Sequence, residues 1–159
     1  MDLSDAQQLL ELPPDIEIPA WCEGATLRYS FHLNRESPSN NDIRGLQPRA
    51  YKGVRQWWCN KVLARGLFGK IPEVPLQRAA LVVVRRCSGM LDWDNAYGGL
   101  KPIVDCLVVR SARRSPNGLG LVVDDSPRYM PYPPFVIQRS ASPGDGSTHI
   151  AIFELPAAD

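Results

Sequence analysis

The run of small and β-branched apolar residues "AALVVV", Ala79–Val84, constrains the fold more than any other part of the sequence. Branched side chains pack well on a pleated surface and lose rotamer freedom in a helix. An apolar run this compact is typical of a strand with neighbours on both sides. The sequence therefore predicts a central β-strand over Arg78–Cys87, which delivers the chain to an acidic segment that begins at Asp92.

Two helices are predicted from apolar residues that recur at helical spacing. The first runs from near Arg49 to Arg65, and its adjacent tryptophans are expected in the core rather than stacked on bases. The second follows the glycine pair Gly98–Gly99. Its apolar positions are Leu100, Ile103, Val104, Leu107 and Val108. Because Pro102 lacks a backbone donor, this helix either starts near the glycines, with the proline in its first turn, or is kinked there.

Four further strands are predicted from alternating or β-branched segments. The first, Ala25–Leu33, precedes the first helix, and the second is the short segment "LGLVV" before Asp124. The last two, "FVIQRSA" and "THIAIFEL", flank the turn residues "SPGDGS" and are predicted to form a closing antiparallel hairpin.

The element order β-α-β-α-β-β-β predicts an α+β fold, a small mixed sheet with two main helices packed on one face. At 159 residues the chain is expected to form one domain with a single sizeable core. Residues 1–24 are expected to be an acidic N-terminal extension, and residues 25–159 the domain itself. Within the extension, Ser4 and Gln7 are spaced for a capping box, and Pro13-Pro14 would end that short helix.

The sequence predicts a cytoplasmic protein without a membrane span. No apolar run approaches the length that crosses a bilayer, and the N-terminus lacks the basic start of a secretion signal. The cysteines are far apart and show no CxxC spacing, so they are expected to be reduced and mostly buried. They are Cys22, Cys59, Cys87 and Cys106.

The net charge of +1 hides a strong asymmetry along the chain. Residues 1–25 contain six acids and no Lys or Arg, so the remainder carries a net charge of +7. Between Ile43 and Pro72 there are seven basic residues and no acid. Such a run attracts phosphate backbones, although it is equally consistent with the solvated face of a helix.

Two acidic pairs are candidates for a metal site. Asp92 and Asp94 flank Trp93, and in an extended segment residues two apart point to the same side. Close carboxylates repel unless a proton or a cation lies between them, and Asp124-Asp125 could add a third acid. Oxygen ligands of this kind suit Mg²⁺ or Mn²⁺. The alternative is that Asp94 or Asn95 caps the second helix and that Asp124-Asp125 opens a turn.

Lys101 and Asp105 lie four residues apart on the polar side of the second helix. One interpretation is a surface ion pair that contributes a few tenths of a kcal/mol. The other is that Lys101 offsets charge on a phosphate near the acids, or helps to position an attacking water.

Five motifs together resemble the RusA family of Holliday-junction resolvases, in the right order from about Thr26 to Leu155. They are "PSNN" at Pro38–Asn41, the basic helix that follows, "LDWDN" at Leu91–Asn95, "LKPIVD" at Leu100–Asp105 and "VDD" at Val123–Asp125. The Gly-Gly form between Asn95 and Lys101 resembles the variant in phage-encoded members. The chain departs from the short bacterial form by three extra residues there, by a longer basic segment before Asp124, and by the acidic N-terminal segment.

The resemblance implies a magnesium-dependent homodimer that binds four-way DNA junctions and nicks two strands symmetrically, without a small-molecule cofactor. It implies essential acids at Asp92, Asp94 and Asp125, an essential lysine at Lys101, and a motif asparagine at Asn95. Asp124 is the alternative to Asp125 if the alignment shifts by one. The expected contacts to DNA are Arg49, Lys52, Arg55, Lys61, Arg110, Arg113 and Arg114, with Asn40 and Asn41 of the first motif.

The sequence thus leads to the hypothesis of a metal-dependent endonuclease that resolves junctions during recombination and repair in a bacterial or phage-infected cell. The alternatives are the same chemistry on flaps or forks, and a catalytically inactive DNA-binding accessory protein with this fold. A third alternative is a protein-interaction module that acts through residues 1–24.

Overall fold

The computed structural model describes residues 19–64 and 74–159. A 3₁₀ turn at Ala20–Cys22 precedes strand β1. Within the described ranges the strands are β1 (Thr26–Leu33), β2 (Ala79–Cys87), β3 (Phe135–Ser140) and β4 (Ser147–Glu154). The α-helices there are α1 (Asn40–Ile43), α2 (Pro48–Val62), α3 (Trp93–Gly98) and α4 (Lys101–Leu107).

The four strands form one mixed sheet in the order β1-β4-β2-β3. Strand β2 pairs antiparallel with β4 and parallel with β3, while β1 pairs antiparallel with β4 at the other edge. The predicted α+β class with a small mixed sheet is confirmed, and so is the interior position of the strand that contains Ala79–Val84.

The predicted closing hairpin is wrong, because β2 lies between β3 and β4. After β3 the backbone N–H of Ala141 donates to the carbonyl of Cys87, at the end of β2. The polar turn therefore carries the chain past the end of β2, and β4 pairs on its far side. Strand β2 is buried along nearly its whole length, so its backbone groups need a partner strand on each edge. In this sheet β3 and β4 are those two partners, and they therefore do not pair with each other.

The predicted strand at 119–123 is also wrong as a member of the sheet. Val122 forms only isolated parallel bridges, to Leu76 and to Val108. The N–H groups of Leu121 and Val122 both donate to the carbonyl of Leu107, the last residue of α4. This segment therefore satisfies the open end of a helix instead of extending the sheet.

The main core lies between the helices and one face of the sheet. Trp58 and Val62 of α2 and Ile103 of α4 are essentially fully buried there. A second apolar cluster lies on the opposite face, around Val82 and Phe153. Trp21, in the 3₁₀ turn, packs edge-on against Phe153, so the end of the predicted N-terminal extension is packed on the sheet. The capping box at Ser4 and the rest of residues 1–18 lie outside the described residues.

The helix predictions agree closely with the structure. Helix α2 ends at Val62, near the predicted end, and Pro102 lies in the first turn of α4, so the first of the two alternatives is confirmed. The short helices α1 and α3 were not predicted. None of the helices in the described ranges is long and apolar enough to cross a bilayer. All four cysteines are buried, as expected.

Candidate functional site

Asp92 is the N-cap of helix α3. Its side-chain oxygen accepts a hydrogen bond of 2.9 Å from the backbone N–H of Asn95, and Asp94 lies in the first helical turn. The extended geometry assumed for Asp92–Asp94 is therefore wrong, because the chain turns into a helix at Trp93. Both carboxylates remain exposed. The alternative prediction, that an acid of this segment caps a helix, is correct. The capping residue is Asp92 rather than Asp94 or Asn95, and the helix is α3 rather than the predicted second helix.

A side-chain clamp fixes the residue before this cap. The amide of Gln138, on edge strand β3, accepts from the N–H of Leu91 at 2.9 Å and donates to the Leu91 carbonyl at 2.8 Å. This pair of bonds imitates the pairing of a further strand and satisfies both backbone groups of Leu91. Asp92 therefore starts from a position fixed against β3.

Arg85, at the end of β2, ties two loops together. Its guanidinium is buried and donates to the carbonyls of Ser37 and Gly89, at 3.1 and 3.2 Å. It also forms an ion pair of 3.0 Å with Glu36. Because a buried guanidinium must keep its partners, Arg85 holds the loop before α1 next to the turn that leads to Asp92.

Helix α1 and the residues just before it contact the glycine pair at the end of α3. A Cβ at Gly99 would lie 1.7 Å from the carbonyl oxygen of Pro38, and one at Gly98 would lie 2.6 Å from the side chain of Asn40. The N–H of Asn41 donates to the Asn95 side chain at 3.2 Å. Two motifs more than fifty residues apart, "PSNN" and "DNAYGG", therefore touch, and the glycines are needed for that approach.

Asp105 connects helices α2 and α4 through its buried carboxylate. It accepts from the Lys101 ammonium at 3.0 Å and from the Tyr51 hydroxyl at 3.0 Å, and the Arg55 guanidinium lies 4.0 Å away. The side chain of Asp105 is 9% exposed, whereas that of Lys101 is 64% exposed. Burial, together with the neighbouring carboxylate of Asp105, raises the pKa of Tyr51. The predicted i, i+4 pair is present, but one member is buried.

Lys101 and Asp125 line the same open cleft of about 510 Å³. The cleft lies between α3, α4 and the segment 125–134, and its other lining residues are mostly apolar. Asp125 is exposed. Its neighbour Asp124 is partly buried, and hydrogen bonds from the Ser126 hydroxyl and nearby backbone N–H groups lower the pKa of its carboxyl. Asp124 therefore has the contacts of a turn residue, and Asp125 is the acid that faces the cleft.

The acids match a divalent ion in chemical type but not in number. The donors suit magnesium in type, because they are exposed carboxylate oxygens. They do not surround an ion on their own. Within residues 19–64 and 74–159, no three His, Cys, Asp or Glu side chains form a group that could hold a metal. An ion bound by Asp92, Asp94 or Asp125 would therefore rely on one or two carboxylates, with the remaining ligands from water or a phosphate.

Most of the predicted DNA contacts lie on the surface. These exposed residues are Arg49, Lys52 and Lys61 of α2 and Arg110, Arg113 and Arg114 of the loop after α4. Arg55 differs, because its side chain is 11% exposed and faces Asp105. Asn40 and Asn41 contact α3 and its glycines, as described above, and Asn41 is exposed.

Three residues that support the site were not predicted as such. Arg85 and Gln138 lie in strands, and nothing in the local pattern distinguishes them from ordinary polar positions. For Asp105 a signal exists, since Tyr51 and Arg55 fall one helical turn apart on α2. That signal can be used only when the packing of α2 against α4 is known.

The chain matches no protein-family model and no curated protein sequence.

Proposed function

We propose that this protein is a RusA-like, metal-dependent endonuclease that cuts branched DNA. The observation that carries the proposal is the cleft that Lys101 and Asp125 both line. Gly98, in contact with the "PSNN" segment, lines the same cleft. The motifs "LKPIVD" and "VDD" thus line one open cleft, and "PSNN" contacts it through Gly98, whereas Asp92 and Asp94 are not among its lining residues.

The charge of Lys101 suits the hydrolysis of a phosphodiester. Its ammonium is exposed, yet Asp105 holds it by a hydrogen bond of 3.0 Å, so the side chain is oriented before DNA arrives. A fixed positive charge stabilises the negative charge that develops on the phosphate in the transition state. Asp105, which Tyr51 and Arg55 also contact, positions the lysine and does not need to touch the substrate.

Asp92, Asp94 and Asp125 are the residues that would hold Mg²⁺, with Asp124 as the alternative to Asp125. When bound, such an ion would activate water and offset charge on the scissile phosphate. The exposure of the first three carboxylates leaves room for water and DNA oxygens as further ligands. Mn²⁺ has the same preference for oxygen ligands.

The exposed basic residues of α2 and of the loop 110–114 supply contacts to phosphates. We propose a homodimer, because a four-way junction has approximate two-fold symmetry and a symmetric dimer offers one site to each of two opposed strands. The proposed setting is recombination and repair in the cytoplasm of a bacterial or phage-infected cell.

The decisive experiment incubates a labelled four-way junction with the pure protein, with and without Mg²⁺, beside a flap, a fork and a linear duplex. We expect paired symmetric nicks in the junction that require the ion. Asp125→Asn should lower the rate at least about 100-fold while leaving junction affinity within about 3-fold, as expected for a group that acts in the transition state. Asp145→Asn removes an exposed acid from the β3–β4 turn and should cut normally.

Nicks of equal rate from Asp125→Asn would contradict the assignment of that residue. Nicks confined to flaps or forks would keep the chemistry and change the substrate.

A catalytically inactive branched-DNA-binding protein is the second candidate. It is favoured by the absence, within the described residues, of three acidic, histidine or cysteine side chains grouped closely enough for a metal. It predicts tight junction binding with no ion-dependent nick from the wild-type protein in the same experiment.

A further inference from the structure

The cleft beside Lys101 has an apolar interior and an aromatic rim. Leu100, 2% exposed, and Met130, 8% exposed, form its inner surface, while Tyr97 and Tyr132 line it with 38% and 39% of their surface exposed. A volume of about 510 Å³ falls within the range of small-molecule sites, roughly 300–1,000 Å³. The phosphate chemistry of the proposed function needs only Lys101 and the acids, so this apolar space is left without a role.

Both rim tyrosines are supported by tryptophans. The ring of Tyr132 stacks on Trp21, with ring centroids 6.1 Å apart and planes 20° apart. The ring of Tyr97 lies 6.3 Å from that of Trp93. Such contacts fix the rings in place, so that a flat ligand can stack on them with little loss of side-chain entropy.

The remaining wall of the cleft is rich in proline. The lining residues Pro127, Pro131, Pro133 and Pro134 come from one segment of the chain. The pyrrolidine ring fixes the backbone angle φ, so four prolines in eight residues restrict the motion of this wall. The cleft is therefore formed before a ligand arrives.

The polar groups of the cleft match a nucleotide. Lys101 presents an exposed ammonium for a phosphate, and the rings of Tyr97 and Tyr132 offer flat faces on which a base can stack. An aromatic rim, an apolar interior and one cation are the elements with which proteins hold a base that has left its stack.

We propose that this cleft binds one unpaired nucleobase at the branch point, stacked on Tyr132 or Tyr97, with its phosphate at Lys101. The proposal rests on the proposed function, because it assumes that branched DNA is the ligand. It adds a base-binding site to the phosphate site and predicts that the protein senses the identity and the freedom of a base beside the cut.

The test is an equilibrium binding measurement without divalent cations, so that it does not depend on cleavage. A fluorescent base, 2-aminopurine, replaces one base at a time on either side of the branch point of a four-way junction. We expect quenching at one position on binding, because stacking on an aromatic ring quenches this base. Tyr132→Leu should abolish that quenching and weaken binding about 5- to 150-fold, the effect of one base–aromatic stack.

Two controls distinguish a base contact from a loss of structure. Tyr132→Phe keeps the ring and should retain both quenching and affinity. The second control is a junction that lacks the responsive base. The wild type should bind this junction as weakly as Tyr132→Leu binds the complete one. Tyr132→Leu should bind both junctions equally, because in a double-mutant cycle the two changes remove the same direct contact. Tyr97→Leu tests the second ring in the same way and does not disturb the contact with Trp21.

If no position is quenched, or if Tyr132→Leu and Tyr97→Leu both bind like the wild type, the base site is refuted, even where magnesium-dependent nicks are observed. If quenching follows the predicted pattern but no nick is ever formed, the base site is supported, and it is the nuclease proposal that fails.

Discussion

The carboxylate of Asp105 meets three polar side chains from two helices, and it is the best example of a residue whose surroundings define its role. It lies 3.0 Å from the Lys101 ammonium and from the Tyr51 hydroxyl, and 4.0 Å from Arg55. Its i, i+4 spacing with Lys101 is equally typical of an exposed pair. The buried position gives it a larger effect, because the loss of its charge removes the anion that faces the partly buried Tyr51 hydroxyl and Arg55 guanidinium.

At the residue scale, Asp105→Asn should destabilise the protein by roughly 2–4 kcal/mol, because it breaks a buried charge cluster without changing its volume. The free energy of unfolding in urea measures the effect. The matched control is Glu154→Gln, which removes the acid of the exposed pair with Arg28 and should cost less than about 1 kcal/mol. Equal effects of the two substitutions would show that Asp105 is not a special position.

Also at the residue scale, Tyr51 should make stability fall at high pH. Burial and the Asp105 carboxylate raise the pKa of Tyr51 above its ordinary value of 10.0. Above about pH 10 the unfolded chain loses this proton while the folded state keeps it, so the free energy of unfolding decreases as pH rises. Tyr51→Phe should be less stable at neutral pH, yet should lose less stability between about pH 9.5 and 11.5. Parallel pH profiles from urea unfolding would refute this.

At the scale of elements, the contact between α1 and the end of α3 positions the acids. Gly99 allows the carbonyl of Pro38 to approach where a side chain would otherwise stand. Arg85 fixes the same loop from β2, and Gln138 fixes Leu91 from β3. Short helices of four and six residues are unstable alone, so these contacts, rather than helix propensity, hold Asp92 and Asn95 in place.

Gly99→Ala should cost about 3 kcal/mol or more, because its Cβ would meet backbone atoms that cannot rotate away. Gly53→Ala is the matched control: it lies within α2 with no atom within 4 Å of the added Cβ. That change should be neutral or stabilising by up to about 1 kcal/mol. Thermal unfolding of the two variants measures the difference, and a Gly99→Ala protein as stable as Gly53→Ala would contradict the proposed close approach.

At the scale of the whole molecule, the main core lies between the helices and one face of the sheet, and basic residues of α2 and of the loop 110–114 are exposed. The cleft draws its lining from α3, α4 and the proline-rich segment before β3. If DNA contacts these basic residues, its affinity must depend on salt, since each neutralised phosphate releases counterions.

Lys52→Gln should therefore weaken junction binding and lower the slope of log affinity against log salt by about 1, as one lost phosphate contact requires. Arg28→Gln removes the same charge from edge strand β1 and should leave the slope unchanged. Filter binding or fluorescence anisotropy over a range of salt concentrations measures both. Identical slopes for the two variants would place the DNA elsewhere.

The sequence by itself determined the interior strand, the two amphipathic helices and the position of Pro102 in a first turn. These features depend on periodicity and on local backbone sterics, which a short window of residues contains. It also named Lys101 and Asp125, and the resemblance to RusA-like resolvases remains a prediction. Only the tertiary structure decided that β2 separates β3 from β4, that Asp92 caps a helix, that Asp105 is buried, and that Lys101 and Asp125 share a cleft. Three of these depend directly on contacts between segments far apart in the chain, and the cap at Asp92 depends on such contacts because they hold the short helix α3. Local pattern carries no information about which distant partner will be adjacent.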